Sequence, residues 1–178
     1  IQIPLLESEL LPGGIAYFDV QEFGREATHQ LIRDFEQLRK DGKVKAVILD
    51  LRNNPGGFLE GARDMVQVFL AKGSKVCYTE GRQFGRTEQV TKENPTVPGD
   101  MPVAILVNGY SASASEITAG ALQDAGRAVI VGEHTYGKGS VQRIFELPTL
   151  PDEDFQDQDG NGIRDSWEKY TDSNGNGK

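Results

Sequence analysis

The chain reads as a layered α/β domain followed by an acidic tail, and three observations predict it. Short, unbroken apolar runs at Val44–Leu49 and Val103–Val107 have the length and composition of strands buried in a sheet. Between such runs, apolar residues recur at helical spacing, as in Leu59, Ala62, Met65, Val66, Phe69 and Leu70. Glycines and prolines fall at the joints, so strand, helix and strand alternate along the chain.

In order, Ile1–Pro12 is apolar but broken by Pro4 and Pro12, which suits an edge strand or an extended arm. Ile15–Val20 is a strand. Ala27, Leu31, Phe35 and Leu38 then mark a helix that Gly42 ends. His29 lies near the start of that helix with no partner in sequence, the setting of a surface or packing residue. Val44–Leu49 is expected to be buried on both faces and leads directly into DLRNNPGG. The second helix stops before Gly73, and Lys75–Thr79 is a strand in which Cys77 takes a core position.

Glu80–Met101 is polar, carries Gly81, Gly85, Pro95 and Pro98, and shows no clear period. Either a functional lid or a plain exposed hairpin accounts for it. A last unit follows: strand Val103–Val107, helix Ser115–Asp124 and strand Ala128–Val131.

With 178 residues, 37% of them hydrophobic and 26% charged, the chain can bury one good core. A formal net charge of −8 and the lack of a basic run argue against nucleic acid as a partner. The single cysteine excludes an internal disulfide. No apolar run is long enough to span a bilayer, and no signal peptide opens the chain.

Chemistry concentrates in VNGYSASASEITAGALQDAGRAVIVGEHTYGKGSVQ, Val107–Gln142. Ser111, Ser113 and Ser115 stand where an apolar strand turns into a helix, and free N–H groups at a helix N-terminus can stabilise a developing oxyanion. Ser113 with Glu116 three residues later also fits a capping box, a purely structural alternative. Lys138 sits between Gly137 and Gly139 beyond the next strand. To serve as a base near neutrality its pKa must fall from about 10.4 to about 7–8, which burial and nearby positive dipoles can achieve. His134 with Asp124 would supply a different base. Spacing alone does not choose among the three serines.

SASASEITAGALQDAGRA, TYGKGSVQ and ILDLRNNPGG together resemble the core of the carboxyl-terminal processing, or tail-specific, proteases over about Gly14–Leu147. The resemblance implies Ser113 as nucleophile, Lys138 as general base and Gln142 as the residue orienting the lysine. It implies an oxyanion hole from the Ala114 N–H with one from the Gly56–Gly57 pair, and support of the site by Glu116, Asp124, Arg127 and Thr135. It further implies a crotonase and Clp-protease-like fold of repeated strand-strand-helix units. No catalytic cofactor is implied. The substrates implied are protein or peptide chains with unstructured C-termini, in an extracytoplasmic setting, periplasmic, cell-envelope or secreted. The parent protein would carry a PDZ domain, of which no sequence is visible here, and oligomers are possible. The rival on the same fold is a non-catalytic module that binds a peptide or lipid.

Residues 1–150 are therefore expected to form the catalytic core, and 151–178 an acidic tail or insertion. From Asp152 the tail holds eight acidic and three basic residues, which accounts for most of the net charge. Within it DQDGNGIRDSWE fits the twelve-residue calcium loop: Asp157, Asp159 and Asn161 at alternate positions, Gly162 at the turn, then the Ile163 carbonyl, Asp165 and Glu168. Alternating hard oxygen donors suit Ca²⁺, expected here as a structural ion. A second copy opening at Asp172 ends at Lys178, before its closing ligands. FELPTLPDEDF stands where the resembling proteases continue into further core strands.

Overall fold

The computed structural model describes residues 5–40, 44–81 and 85–142. The chain divides into two compact units, Ile1–Val141 and Gln142–Lys178. The first contains β1 (Leu6–Leu11), β2 (Ile15–Val20), α1 (Arg25–Lys40), β3 (Ala46–Asp50), α2 (Leu59–Gln67), β4 (Lys75–Gly81), β5 (Gly85–Val90), β6 (Val103–Val107), α3 (Ala114–Asp124) and β7 (Val129–Gly132).

Five strands form one sheet in the order β1-β2-β3-β6-β7. β1 pairs antiparallel with β2 through a tight turn, Leu6 opposite Val20 and Leu11 opposite Ile15, which makes the first segment an edge strand as expected. The other three pairings, β2 with β3, β3 with β6 and β6 with β7, are all parallel. Parallel strands need crossovers, and α1, α2 and α3 provide them. α1 lies against β1 and β2, α2 lies between α1 and α3, and α3 meets β7 and β4.

The core gathers Phe18, Val20, Phe23, Leu31, Phe35, Leu49, Met65, Phe69, Ile105 and Leu122. Alternation along β3 and β6 decides which side chains join it: Val47, Leu49, Val103, Ile105 and Val107 are buried, whereas Ala46, Ile48, Ala104 and Leu106 are only partly covered. Burial of β3 on both faces is thus corrected. Its pleat sends alternate side chains to a second face that the described elements cover less well.

β4 and β5 differ more from the expected pattern. β4 does not join the main sheet but pairs antiparallel with β5 as a separate two-stranded ribbon, so the polar connection enters an exposed ribbon as far as Val90, beyond which Thr91 and Val97 are buried. Cys77 on β4 is partly buried against the core, and burial pushes its thiol pKa up.

The parallel pairing fixes where chemistry can be built. β3, β6 and β7 run in the same direction, so the loops that follow them emerge along one edge of the sheet. Those loops carry NNPGG, the three serines and Lys138. Sheets of this kind bind and react at the C-terminal ends of their strands.

Candidate active site

Serine follows serine here, but the fold gives each a different environment. Ser111 and Ser115 are fully buried. The Ser111 hydroxyl donates to Leu51 C=O at 2.7 Å and accepts from Asn108 N–H at 3.0 Å. The Ser115 hydroxyl donates to Asn54 C=O at 3.0 Å. Both therefore tie the turn after β6 to the loop after β3. Ser113 lies between them, half-buried, with no such tie.

Ser113 is also strained. Its φ of 55° and ψ of −111° lie where side-chain-bearing residues are rare, at a cost of about 1–3 kcal/mol that the surroundings must sustain. Ser113 and Glu116 face each other as a capping box, as their spacing allows. The bond that closes runs from Ser113 N–H to Glu116 Oε2 at 2.8 Å, while the Ser113 side chain makes no cap hydrogen bond. A hydroxyl presented from a sharp strand-to-helix turn is what a serine nucleophile requires.

The loop after β3 is held by Asn54, whose part the sequence did not reveal. Asn54 is buried. Its amide nitrogen donates to Val20 C=O at 2.6 Å, its amide oxygen accepts from Gly56 N–H at 2.8 Å, and its main-chain carbonyl accepts from Ala112 N–H at 3.0 Å. Asn53, at φ 62°, and Asn108 exchange a further pair of bonds, both at 2.9 Å. An asparagine run beside PGG was the available signal, since Asn readily bonds nearby backbone and tolerates positive φ.

These contacts separate the two candidate oxyanion glycines. Gly56 is buried, its N–H is taken by Asn54, and a Cβ there would stand 2.7 Å from Ala112 O and 2.9 Å from both Ala114 N and Ser113 Cβ. Gly57 is exposed and, among the described residues, its N–H donates to no protein acceptor. A Cβ at Gly57, whose φ is 152°, would collide with Phe23 O. Ala114 N–H, at the first residue of α3, is a helix-start donor with no protein acceptor among the described residues. Gly56 thus packs the Ser113 turn, and among the described residues Gly57 and Ala114 offer free donors.

Glu116 joins the third loop to the Ser113 turn. Its Oε1 accepts from the Thr135 hydroxyl at 2.7 Å and Gly137 N–H at 2.6 Å; its Oε2 accepts from Ser113 N–H and, at 2.9 Å, Lys138 N–H. Burial pushes the Glu116 pKa up, but these four bonds outweigh it and hold the carboxyl below its usual range. Tyr136 N–H adds a bond to Ser111 C=O at 3.0 Å. The Lys138 backbone is therefore fixed beside Ser113, while its side chain is exposed. His134 is exposed as well.

At the end of β3, Asp50 is buried between Tyr17, whose hydroxyl donates to it at 2.6 Å, and Arg52, which binds it through Nε and Nη2. Burial raises the Asp50 pKa, yet Arg52 and Tyr17 prevail and leave it lowered. Burial and the Asp50 carboxylate push the Tyr17 hydroxyl up to about 12. This cluster fixes the point where β3 becomes the glycine loop.

The remaining expected support residues lie apart. Arg127 donates to Phe69, Met101 and Pro98 carbonyls, bracing the chain that leads into β6. Asp124 ends α3, about 16 Å along the helix from Ser113. There it lines a cleft of about 510 Å³ against the β4–β5 ribbon. Gln142 is exposed and falls in the second unit. The calcium-loop residues Asp157, Asp159, Asn161, Ile163, Asp165 and Glu168 lie outside the described residues.

Comparison with known proteins shows the family. A carboxyl-terminal-processing protease of Picosynechococcus sp. is 43% identical over 134 residues, 75% of this chain and 31% of the relative. One of Synechocystis sp. is 41% identical over 160 residues, 89% of this chain and 34% of the relative. The chain thus spans about a third of the length of these curated relatives. The solved photosystem II D1 C-terminal processing protease superposes with a TM-score of 0.71 at 29% identity, covering 83% of this chain and 41% of that one. The profile of Peptidase family S41 matches residues 14–177. From the sheet and its C-terminal loops to the family match, the findings converge: the chain belongs to peptidase family S41.

Proposed function

We propose that the chain is the catalytic core of a serine endopeptidase that processes or degrades protein substrates from their C-terminal region. The observation that carries this is the strained Ser113, alone of the three serines without a hydroxyl bond to the β3 loop, with its N–H and the Lys138 N–H bound to one carboxylate oxygen of Glu116. The resemblance of the TYGKGSVQ block supplies the rest. Neutral Lys138 takes the Ser113 proton as the hydroxyl attacks the scissile carbonyl. The N–H groups of Ala114 and Gly57 receive the oxyanion. The protonated lysine gives its proton to the leaving amine, and Lys138 then activates the water that clears the acyl-enzyme. Gln142 would orient the lysine.

The enzyme is favoured over a non-catalytic peptide- or lipid-binding module because a strained serine beside free N–H donors is costly unless used. Substrates with unstructured C-termini, an extracytoplasmic setting, a PDZ-bearing parent and the crotonase-like layering belong to the same reading. Among the described residues no helix is long and apolar enough to cross a membrane. The tail is proposed to hold a structural Ca²⁺ through Asp157, Asp159, Asn161, the Ile163 carbonyl, Asp165 and Glu168, whose alternating oxygen donors suit it. No catalytic step uses that ion.

The test is cleavage of a fluorogenic unstructured peptide with an apolar C-terminus by the unsubstituted chain, Ser113→Ala and Lys138→Ala, each checked for folding by circular dichroism. Cleavage abolished by both substitutions in folded protein supports the dyad. An inert unsubstituted chain, or an active Ser113→Ala, overturns it.

A further inference from the structure

The lysine loop has little packing of its own. From Glu133 to Ser140 every residue except Thr135 is exposed, so burial does not hold Lys138 in place. What holds it is the set of bonds to the turn after β6 and to Glu116.

Glu116 is unusual among these contacts because it grips both segments at once. An ionised carboxylate is an acceptor only, with two oxygens and about four lone-pair sites. Here all four are used: Thr135 and Gly137 on one oxygen, Ser113 and Lys138 on the other. Because Oε2 receives Ser113 N–H and Lys138 N–H together, the nucleophile and the lysine are referenced to a single atom. The carboxylate also sits in the first turn of α3, where the helix dipole favours negative charge.

We propose that Glu116 is the positioning residue that sets the distance between the Ser113 nucleophile and the Lys138 base. This rests on the dyad reading above. Glu116 does not touch the substrate carbonyl or exchange a proton with it. Its role is to keep the loop after β7 docked on the turn after β6 in the one geometry that permits proton transfer.

The side chain's geometry predicts a graded response. Glu116→Gln keeps length and volume but replaces one oxygen with a donor. Turning the NH₂ toward Thr135 preserves the shared oxygen for Ser113 and Lys138, since the hydroxyl can accept instead, but leaves Gly137 N–H without an acceptor. Turning it the other way abolishes the Ser113–Lys138 link. Glu116→Asp is one methylene short of bridging the segments, and Glu116→Ala removes all four bonds.

The experiment measures kcat and KM for the fluorogenic unstructured peptide with Glu116→Gln, Glu116→Asp, Glu116→Ala and Thr135→Val, alongside Ser113→Ala, Lys138→Ala and thermal melting of each. The expected result is a fall in kcat of about tenfold for Gln and at least a hundredfold for Asp and Ala, with KM within threefold. Thr135→Val, which removes one donor away from the shared oxygen, should lose less than fivefold. A merely structural residue would instead lower the melting temperature and leave kcat intact in the fraction that stays folded.

If Glu116→Ala does not fold, Glu116→Gln and Glu116→Asp decide the matter. An unchanged kcat in folded Glu116→Asp, or a rise in KM that accounts for the whole loss, overturns the positioning role. If Lys138→Ala keeps full activity, the dyad reading falls and this role with it. If Lys138→Ala is inactive while Glu116→Asp is as active as the unsubstituted chain, the positioning role falls alone.

Discussion

The turn that carries Ser113 and the loop that carries Lys138 are built in opposite ways. Ser111, Ala112, Ala114 and Ser115 are buried, and the turn is bonded to the β3 loop through Leu51, Asn53 and Asn54. The lysine loop is almost wholly exposed and is held by hydrogen bonds from its backbone and Thr135 to Ser111 and Glu116. The serine turn is thus pre-formed by the core, which is how a strained backbone survives. The lysine loop is docked onto it from outside. Damage to the first should cost stability and activity together, and damage to the second mainly activity.

The largest effect should come from filling the glycines beneath the nucleophile. Gly56→Ala puts a Cβ within 2.7 Å of Ala112 O at a φ of 105°, so the turn must shift. Destabilisation of about 2–4 kcal/mol, read by urea unfolding, and loss of activity beyond a hundredfold are expected. Asn54→Ala comes next. It leaves Gly56 N–H and Val20 C=O without their partners in a buried site, for about 2–3 kcal/mol by the same unfolding assay.

Acid should act more gently. The Glu116 and Asp50 carboxyls both have folded pKa values below their ordinary ones, so their contributions are complete above the ordinary carboxylate range and are lost as pH falls through the lowered values. Stability should hold at pH 5 and fall below about pH 4, in a pH titration of melting temperature. The smallest effect belongs to His29, exposed on α1 and far in sequence from every catalytic loop. His29→Ala should stay within about 0.5 kcal/mol, with unchanged cleavage.

Much of the fold was legible because apolar runs and turn residues are local signals. Ile15–Val20 and Val103–Val107 are strands at the bounds their sequences suggest, and the stripe from Leu59 forms α2 only as far as Gln67, with Phe69 and Leu70 buried in the turn after it. What periodicity could not supply was pairing. GRTEQV in β5 is exposed along nearly its whole length, so no apolar alternation marks it, and nothing local says that β4 leaves the main sheet to join it. The candidate site was legible only in part. The serine cluster and the lysine loop stand out, but Ser111, Ser113 and Ser115 are distinguished by acceptors some sixty residues away, at Leu51 and Asn54. Likewise, Gly56 and Gly57 look alike in NNPGG until Asn54 is seen to occupy one of their N–H groups.

The central claim is that Ser113 is the one activated serine and that Lys138 activates it. The most direct measurement is the second-order rate of labelling by a fluorophosphonate probe, with the modified residue located by mass spectrometry, in the unsubstituted chain and in folded Lys138→Ala. The account predicts label on Ser113 and on neither Ser111 nor Ser115, at a rate cut at least a hundredfold by the lysine substitution. Label on a neighbouring serine, no label at all, or a rate indifferent to Lys138 would contradict it.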